Sequence, residues 1–427
     1  MMQLFKKAGV GRINLYVLSF LAFMIMTGFG LIMPLLPVYV KLLGGRATEI
    51  GVLMASFMLT RALFATGFGN LSDRIGRKKI ILSGVIIYGV ISVLFALSTE
   101  MWELLLARSI QGISSAMVWP VSEALIVDSV GPSERGYAMS IYMVLSNAGM
   151  TAGPFLGGGL LYIGREHFHL SVLESYRFPF YFTGIIMFLA FIVVLVFVKD
   201  ILPPLNKKEV EAHKKEIKAI ELRPDVKRSL RVLYANGLMN GFAMGLVSSI
   251  LVYYISIRFF PYDDATAGTI IGLIMGVSTF SGMLVTVPAG KIADRIGRKP
   301  QIIIAGYLSR IATILMPFMP TAALTGDMVL LRFSAFNVTS PAFRALQADL
   351  IPEKIRGKLI GFLQTMFNTG AIVGPIAGGI IFDAFSNQRY RLGSLTIPGE
   401  SFPFLISGGI GIITITLLWL YVKEPER

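Results

Sequence analysis

The sequence predicts an all-α integral membrane protein of twelve transmembrane helices in two pseudo-symmetric six-helix bundles. An internal repeat, the spacing of apolar runs and the placement of basic residues predict it. The stretch GNLSDRIGRKK, from Gly69 to Lys79, returns as GKIADRIGRKP, from Gly290 to Pro300, with seven of eleven positions identical. The offset, 290 − 69 = 221, also carries Gly51 onto Gly272, Pro120 onto Pro341 and Arg135-Gly136 onto Arg356-Gly357. Nothing is inserted or lost between these markers, so the chain is two copies of one unit about the size of an ordinary domain.

Composition says what kind of unit repeats. Of 427 residues 54% are hydrophobic and only 15% charged. Apolar stretches of about 20 residues, the length that crosses a hydrocarbon core as a helix, recur six times per copy. They lie near 13–40, 50–68, 80–98, 103–127, 137–162 and 179–198, then near 230–258, 266–289, 301–320, 327–350, 358–383 and 403–422. In lipid each backbone N–H and C=O needs a partner within its own segment, so these runs are expected as helices despite their β-branched residues. The first bundle is assigned to 1–198, a linker to 199–229 and the second bundle to 230–427.

A net charge of +14 would suggest nucleic acid in a soluble protein. Here its distribution gives another reading. With the amino terminus inside, 27 of the 39 Lys and Arg fall on the inner side, seven outside and five within spans. This positive-inside bias places both termini in the cytoplasm of a multi-pass cell-membrane protein and removes any need for a nucleic-acid partner. The partners expected are the lipid bilayer, a small-molecule substrate and protons. The first apolar run is too long for a signal-peptide core, so it is read as a retained helix.

Several chemistries are not visible. There is no cysteine, which excludes disulfides and thiol catalysis. His167 and His169 are read as solvated loop residues, and no metal site is expected. Neither a phosphate-binding loop nor a nucleophile elbow or zinc helix occurs, so no cofactor and no enzymatic activity are expected. The linker contains Asn206 and Glu209 at capping spacing and Val210, Ile217 and Ile220 on one face, stopped by Pro224. It reads as an amphipathic helix on the inner membrane surface or a solvated tether.

The repeated phrase sits on the inner loop between spans two and three of each copy, and its residue types suit a hinge. Its glycines, Gly69 and Gly76 in one copy and Gly290 and Gly297 in the other, permit sharp turns and close helix ends. Asp73 and Arg77 are placed for charge-assisted hydrogen bonds where hydration is poor. Positive-inside anchoring alone would explain Lys78 and Lys79, but not the placed aspartate, the glycines or the duplication.

These residues resemble the major facilitator superfamily of secondary transporters, over the whole chain. Gly69, Leu71, Asp73, Arg74, Gly76, Arg77 and Lys78 match the family's loop motif, and Gly290, Asp294, Arg295, Gly297, Arg298 and Lys299 repeat it with Ile292 for leucine. In span four, Arg108, Gln111 and Gly112 match R-x-x-Q-G. In span five, Gly149, Gly153, Pro154, Gly157 and Gly158 resemble the motif associated with antiporters. The resemblance implies the major facilitator fold, spans one, four, seven and ten around a central cavity, and a proton-coupled drug antiporter. It also implies that Asp128, at the inner end of span four, partners the loop motif, with Asp349 at the matching place in span ten.

Independently of that resemblance, Gly149, Gly153 and Gly157 fall on one helix face, where a neighbouring helix can pack closely. Pro154 frees a carbonyl beside them. The pattern returns from Gly370 to Gly379. Charged residues inside spans are functional suspects because they are costly. The set is Arg61, Arg108, Glu123, Arg310, Arg332 and Arg344. Glu123 lies within span four and Arg344 is its 221-offset partner, so the two are expected either as a cavity pair that opens on protonation or substrate binding, or as a static ion pair. Arg108, 15 residues before Glu123, is about 60° away around the helix, so Arg108 and Glu123 are expected to face one cavity, to which Gln111 is also assigned. Arg61 and Arg310 are expected to hydrogen-bond neighbouring helices.

Span one lacks the carboxylate found in many cation-exporting members of the family, which brings neutral and anionic amphiphiles into the expected cargo. The leading function is a proton-coupled antiporter that exports small amphipathic molecules by alternating access. The alternatives are a metabolite or organic-anion carrier using Arg108 or Arg344, and a non-transporting receptor. If the loop's charges set the conformational balance, Asp73→Asn and Arg77→Ala lower turnover by about tenfold, ~1.4 kcal/mol of barrier. The check is transport in vesicles by variants that still insert and stay monodisperse.

Overall fold

A computed structural model describes residues 2–200, 224–350, 355–393 and 395–422. The proposed linker helix lies almost wholly in 201–223, outside them. Contacts group the chain into two compact units: Met1–Pro203 with Ser256–Gly276, and Pro204–Ile255 with Val277–Arg427.

The first copy runs through α1 (Met2–Ile32), α2 (Leu36–Leu42), α3 (Ala47–Ile75), α4 (Arg77–Leu97), α5 (Met101–Ser129), α6 (Arg135–Glu166) and α7 (Val172–Phe197). The second runs through α8 (Pro224–Ser248), α9 (Leu251–Phe259), α10 (Asp264–Ile296), α11 (Arg298–Leu315), α12 (Ala322–Leu350), α13 (Arg356–Phe385) and α14 (Phe402–Tyr421). Every predicted span is therefore occupied by helix. Among the described residues ten helical segments are long and apolar enough to cross a membrane. Spans five and ten, α6 and α12, are continuous helices as long as the rest but less apolar. Glycines with Ser146, Asn147 and Thr151 dilute α6, and Arg332, Asn337 and Arg344 dilute α12.

Helix starts follow local chemistry. Glu49 accepts from the Arg46 amide at 2.7 Å and Glu103 from the Thr99 amide at 2.7 Å, while Ser171 accepts from the Glu174 amide at 3.3 Å. Each satisfies an amide that a helix leaves orphaned at its start. Before α10, the hydroxyl and amide of Thr266 hold the Asp263 carboxyl below the usual carboxylate range.

Two features depart from the sequence expectation. Spans one and seven are each broken, at 33–35 between α1 and α2 and at 249–250 between α8 and α9. The first break lies next to Pro34 and Pro37, whose missing amides interrupt the ladder. The second contains no proline, yet the two breaks coincide at the offset 245 − 30 = 215 that the matching glycine contacts give α1 and α8. A short antiparallel hairpin, β1 (Arg389–Leu392) and β2 (Leu395–Pro398), joins α13 to α14, with Arg389 opposite Pro398.

Glycine packing organises each unit. A Cβ on Gly153 would come within 2.6 Å of the Gly30 and Leu31 backbone, and one on Gly157 within 2.6 Å of the Leu31 carbonyl oxygen. The face predicted on α6 thus seats the backbone of α1. In the other unit a Cβ on Gly374 would lie 2.9 Å from the Gly245 Cα, and one on Gly378 2.9 Å from the Leu246 Cα and against its carbonyl oxygen, which repeats the arrangement between α13 and α8. Gly153→Ala forces backbone apart, so it should cost about 1–3 kcal/mol. Gly159→Ala, where a Cβ meets nothing within 4 Å, should cost nothing. Thermal midpoints of the two purified variants compare them directly.

Candidate functional site

The loop between spans two and three is a tight corner. Gly76 ends α3 and starts α4 at φ 105°, a conformation that side chains rarely adopt. Arg77 is thereby turned back into the unit, 6% exposed. Its guanidinium bonds the Asp73 carboxylate at 3.1 Å, one helical turn earlier, and also pairs with Asp128 near the end of α5. One arginine thus ties together the ends of α3, α4 and α5 through charge-assisted bonds. Arg74, in the last turn of α3, belongs to none of the ion pairs seen among the described residues.

A third carboxylate completes the corner. Asp200 accepts from the Arg77 amide at 3.0 Å and from the Lys78 amide at 3.4 Å, capping the first turn of α4. Lys78 reaches the Leu195 carbonyl at 2.7 Å. Asp200 is positioned by Asn14, fully buried on α1, which donates to the Lys199 carbonyl at 2.9 Å and accepts from the Lys199 amide at 2.9 Å. Neither was singled out from the sequence, where Asp200 falls in the linker assigned to 199–229 and Asn14 within the first apolar run. The available signal was Asn14 itself, since an amide in a span needs partners.

The second loop repeats the corner at Gly297, φ 95°, between α10 and α11. Arg295 lies in the last turn of α10 and Arg298 opens α11. The side chains of Asp294 and Asp349 lie outside the described ones. Gly69 and Gly290 face open space, where a Cβ would meet nothing within 4 Å. The turn itself therefore requires only Gly76 and Gly297.

Arg108 and Glu123 share α5 but occupy different surroundings. Arg108 is 1% exposed. It donates to Gln111 Oε1 at 3.0 Å, sets its guanidinium 4.6 Å from the Phe57 ring and 5.6 Å from Phe29, and lies against the sulfurs of Met33 and Met54. Gln111 passes the link to Ser92 at 3.4 Å. Aromatic faces and soft sulfur stand in for a carboxylate. Arg108 is thus packed inside its unit instead of sharing an open surface with Glu123.

Glu123 is exposed, six residues before the end of α5. The charge that acts on it is Arg61 of α3, which also acts on Tyr142 of α6. The Tyr142 ring stands edge-on to Trp119, at 5.9 Å. Arg61 forms no hydrogen bond among the described residues, so its expected role as a helix-to-helix donor gives way to an electrostatic one. Arg344 is on α12, in the other unit.

The antiporter-type motif contributes more than the α1 contact. Gly158 faces Gly272 and Thr269, in the stretch Ser256–Gly276 of the same unit, where a Cβ would lie 3.1 Å from the Thr269 carbonyl oxygen. Nearby, Tyr176 donates to the Asp264 carbonyl at 2.5 Å, and Lys41 pairs with the Asp264 carboxylate at 2.7 Å.

The comparisons with known proteins fit this geometry. The model of the Major Facilitator Superfamily matches residues 18–265 and 233–427. The chain belongs to the Major Facilitator Superfamily. It is therefore a multi-pass membrane transporter of small molecules and not an enzyme. It is 27% identical over 419 residues to multidrug resistance protein MdtG of Proteus mirabilis, covering 97% of both chains. It is also 27% identical over 423 residues to multidrug resistance protein 2 of Bacillus subtilis, covering 96% of this chain and 94% of that one. Among solved structures, a bacterial homolog of the human lysosomal transporter Spinster shares the fold with TM-score 0.75 at 15% identity, covering 96% of each chain. The nucleoside transporter NupG does so with TM-score 0.74 at 13% identity, covering 96% of this chain and all of that one.

In this superfamily member the loop corner rests on Asp200 as much as on the motif. Asp200→Ala removes the acceptor for two amides and should cost about 0.5–2 kcal/mol. Asp200→Asn, which keeps a cap, should retain most of that. Denaturation midpoints of the purified variants measure the difference.

Proposed function

We propose that the protein is a proton-coupled antiporter that exports small amphipathic molecules across the cell membrane by alternating access, with both termini in the cytoplasm. The observation that carries this reading is Glu123, an exposed carboxylate about 9 Å inside α5 at 1.5 Å per residue, under the influence of the Arg61 charge. The two relatives named for multidrug resistance support export of amphiphiles.

In this reading the corners around Arg77 and Arg298 set the balance between conformations. Asp73, Arg77, Asp128 and the second copy's Asp294, Arg298 and Asp349 form the gating loops. Glu123 takes up and releases the coupled proton, with Arg108 and Gln111 fixing α5 from behind. Arg61 holds a constant positive charge near Glu123 because both lie in one unit. Arg344 is the variable one, since units that rock against each other change its distance. The glycine faces of α6 and α13 permit that movement without opening voids.

Glu123→Gln should abolish uphill, pH-driven export while sparing downhill exchange, because the helices and corners remain. Arg344→Ala, and likewise Arg61→Gln, should move the pH dependence of export to higher pH, as a carboxyl that loses a cationic neighbour holds its proton more tightly. The measurement is accumulation of a fluorescent amphiphile in vesicles after a pH jump. Undiminished uphill accumulation by Glu123→Gln would place the coupling group elsewhere, with Asp128 next.

A further inference from the structure

Away from the loop corners, one polar cluster joins residues that are far apart in the sequence. Lys41, in the last turn of α2, pairs with the Asp264 carboxylate at 2.7 Å. Lys41 also donates to the Ser256 hydroxyl at 3.5 Å, which donates to the same carboxylate at 3.3 Å, and the Tyr176 hydroxyl of α7 donates to the Asp264 carbonyl at 2.5 Å. Both charges are largely withdrawn from solvent, at 21% and 18% exposed, so salt screens them less than a surface pair. One helix, α3, separates Lys41 from the Gly76 corner. The cluster therefore lies on the opposite side of the membrane from that corner.

Helix capping does not account for Asp264. The start of α10 is already served by Asp263, which accepts from the Thr266 amide at 3.0 Å. An acid in the first turn also suits the macrodipole, but that leaves the contacts from Lys41 and Tyr176 unexplained. Further along α10 the contact continues without interlocking side chains. Gly268, Gly272 and Gly276 recur every four residues, and a Cβ on them would strike the Tyr176 hydroxyl, the Gly158 Cα and the Phe155 ring. Helices that meet over small residues approach closely and can part without unthreading side chains. The ion pair is the directional hold at the end of that seam.

The division of the chain points the same way. Ser256–Gly276 belongs to the second copy by the repeat, yet it groups with the first unit, while the rest of α10 groups with the second. A continuous helix divided in this way cannot follow both units when they move. One set of its contacts has to part.

We propose that Lys41 and Asp264, steadied by Tyr176 and Ser256, form a releasable latch that holds the start of α10 against α2 and α7 and opens once in each transport cycle. Both are positioning residues, since neither has to touch the cargo. The latch rests on the alternating-access part of the proposed function and is independent of Glu123 and of what is carried. A half-buried pair is worth more than an exposed one and less than a fully buried one, so it biases an equilibrium without freezing it. Removing either charge favours the open form, because the pair stabilises only the closed one.

The chain has no cysteine, so introduced thiols report without background. Trp102→Cys, at the start of α5, and Tyr262→Cys, just before α10, replace exposed residues on the side of the latch. Spin labels on this pair, in the full-length protein in phosphatidylcholine nanodiscs, give the distribution of separations by electron double resonance. Lys41→Gln and Asp264→Asn should each raise the ratio of long to short separations by about three- to tenfold. Lys41→Arg should leave the ratio near the parent's, and the double variant should shift it no further than either single one. Unchanged ratios in the single variants, or additive shifts in the double, would overturn the latch. Monodispersity qualifies each variant, and Lys41→Gln carries the test if the change at Asp264 disturbs α10. In a second arm, Lys41→Cys with Asp264→Cys is joined by a short bis-methanethiosulfonate linker. Accumulation of N-phenylnaphthylamine or ethidium in vesicles after a pH jump should stop on linking and return on reduction, whereas undiminished accumulation by the linked protein would also overturn the latch. A parent that accumulates neither dye, with the shifts in separation intact, would sink the exporter reading and leave the latch standing. Accumulation by the parent with identical separations in every variant would do the reverse.

Discussion

A charge placed among apolar helices has to be answered, and in this protein the kind of answer differs from charge to charge. Arg77 is answered by two carboxylates, Asp73 and Asp128, and becomes a rivet between three helix ends. Arg108 is answered by rings, sulfur and one amide, which fix it without a counter-charge. Arg61 and Glu123 answer one another through space. Arg310 finds only an amide. The first arrangement suits a joint, because two carboxylates hold one guanidinium and breaking either pair is costly.

Glycine provides the complementary constraint. Polar groups exert these effects only if helices approach closely enough, and the α1–α6 and α8–α13 pairs meet backbone to backbone over matching glycine faces. Without a hydrophobic drive between helices in lipid, such close approach is how packing energy is gained. Residues such as Asn14, which bridges α1 to the end of α7, then sit within hydrogen-bond reach of their partners. Corner, glycine face and buried amide form one connected scaffold in the first unit.

The helices were legible because lipid removes alternatives: an apolar run of span length must be helical, and the repeat set the phase of both copies. The Asp73–Arg77–Asp128 contact was legible through the family motif. The breaks in spans one and seven were not, since Pro34 and Pro37 sat inside an unbroken apolar run and Ser249-Ile250 carries no breaker. The β1–β2 hairpin was hidden because four-residue strands offer too short an alternation to read. Asp200 was hidden for another reason. Its role depends on Asn14, 186 positions away, and no local pattern encodes such a contact. The surroundings of Arg108 were missed likewise, because helix angle places Cα directions, whereas the rings and sulfurs around it come from α1, α3 and the break between α1 and α2.

Duplication of a motif is not duplication of its energetics. The two corners share glycine conformation and charge spelling, and at the ends of the copies Val198-Lys199-Asp200 meets Val422-Lys423-Glu424, since 424 − 200 = 224, so a carboxylate recurs in sequence at the place of Asp200, outside the described residues. The difference lies inside the helices, where Gln111 accepts from Arg108 and the matching position 332 carries a second arginine. Both copies nonetheless leave a buried guanidinium nitrogen without a hydrogen bond, Arg108 Nε in the first and Arg310 Nε in the second. Two halves of one pattern thus keep the same corner while differing in the charge their helices carry.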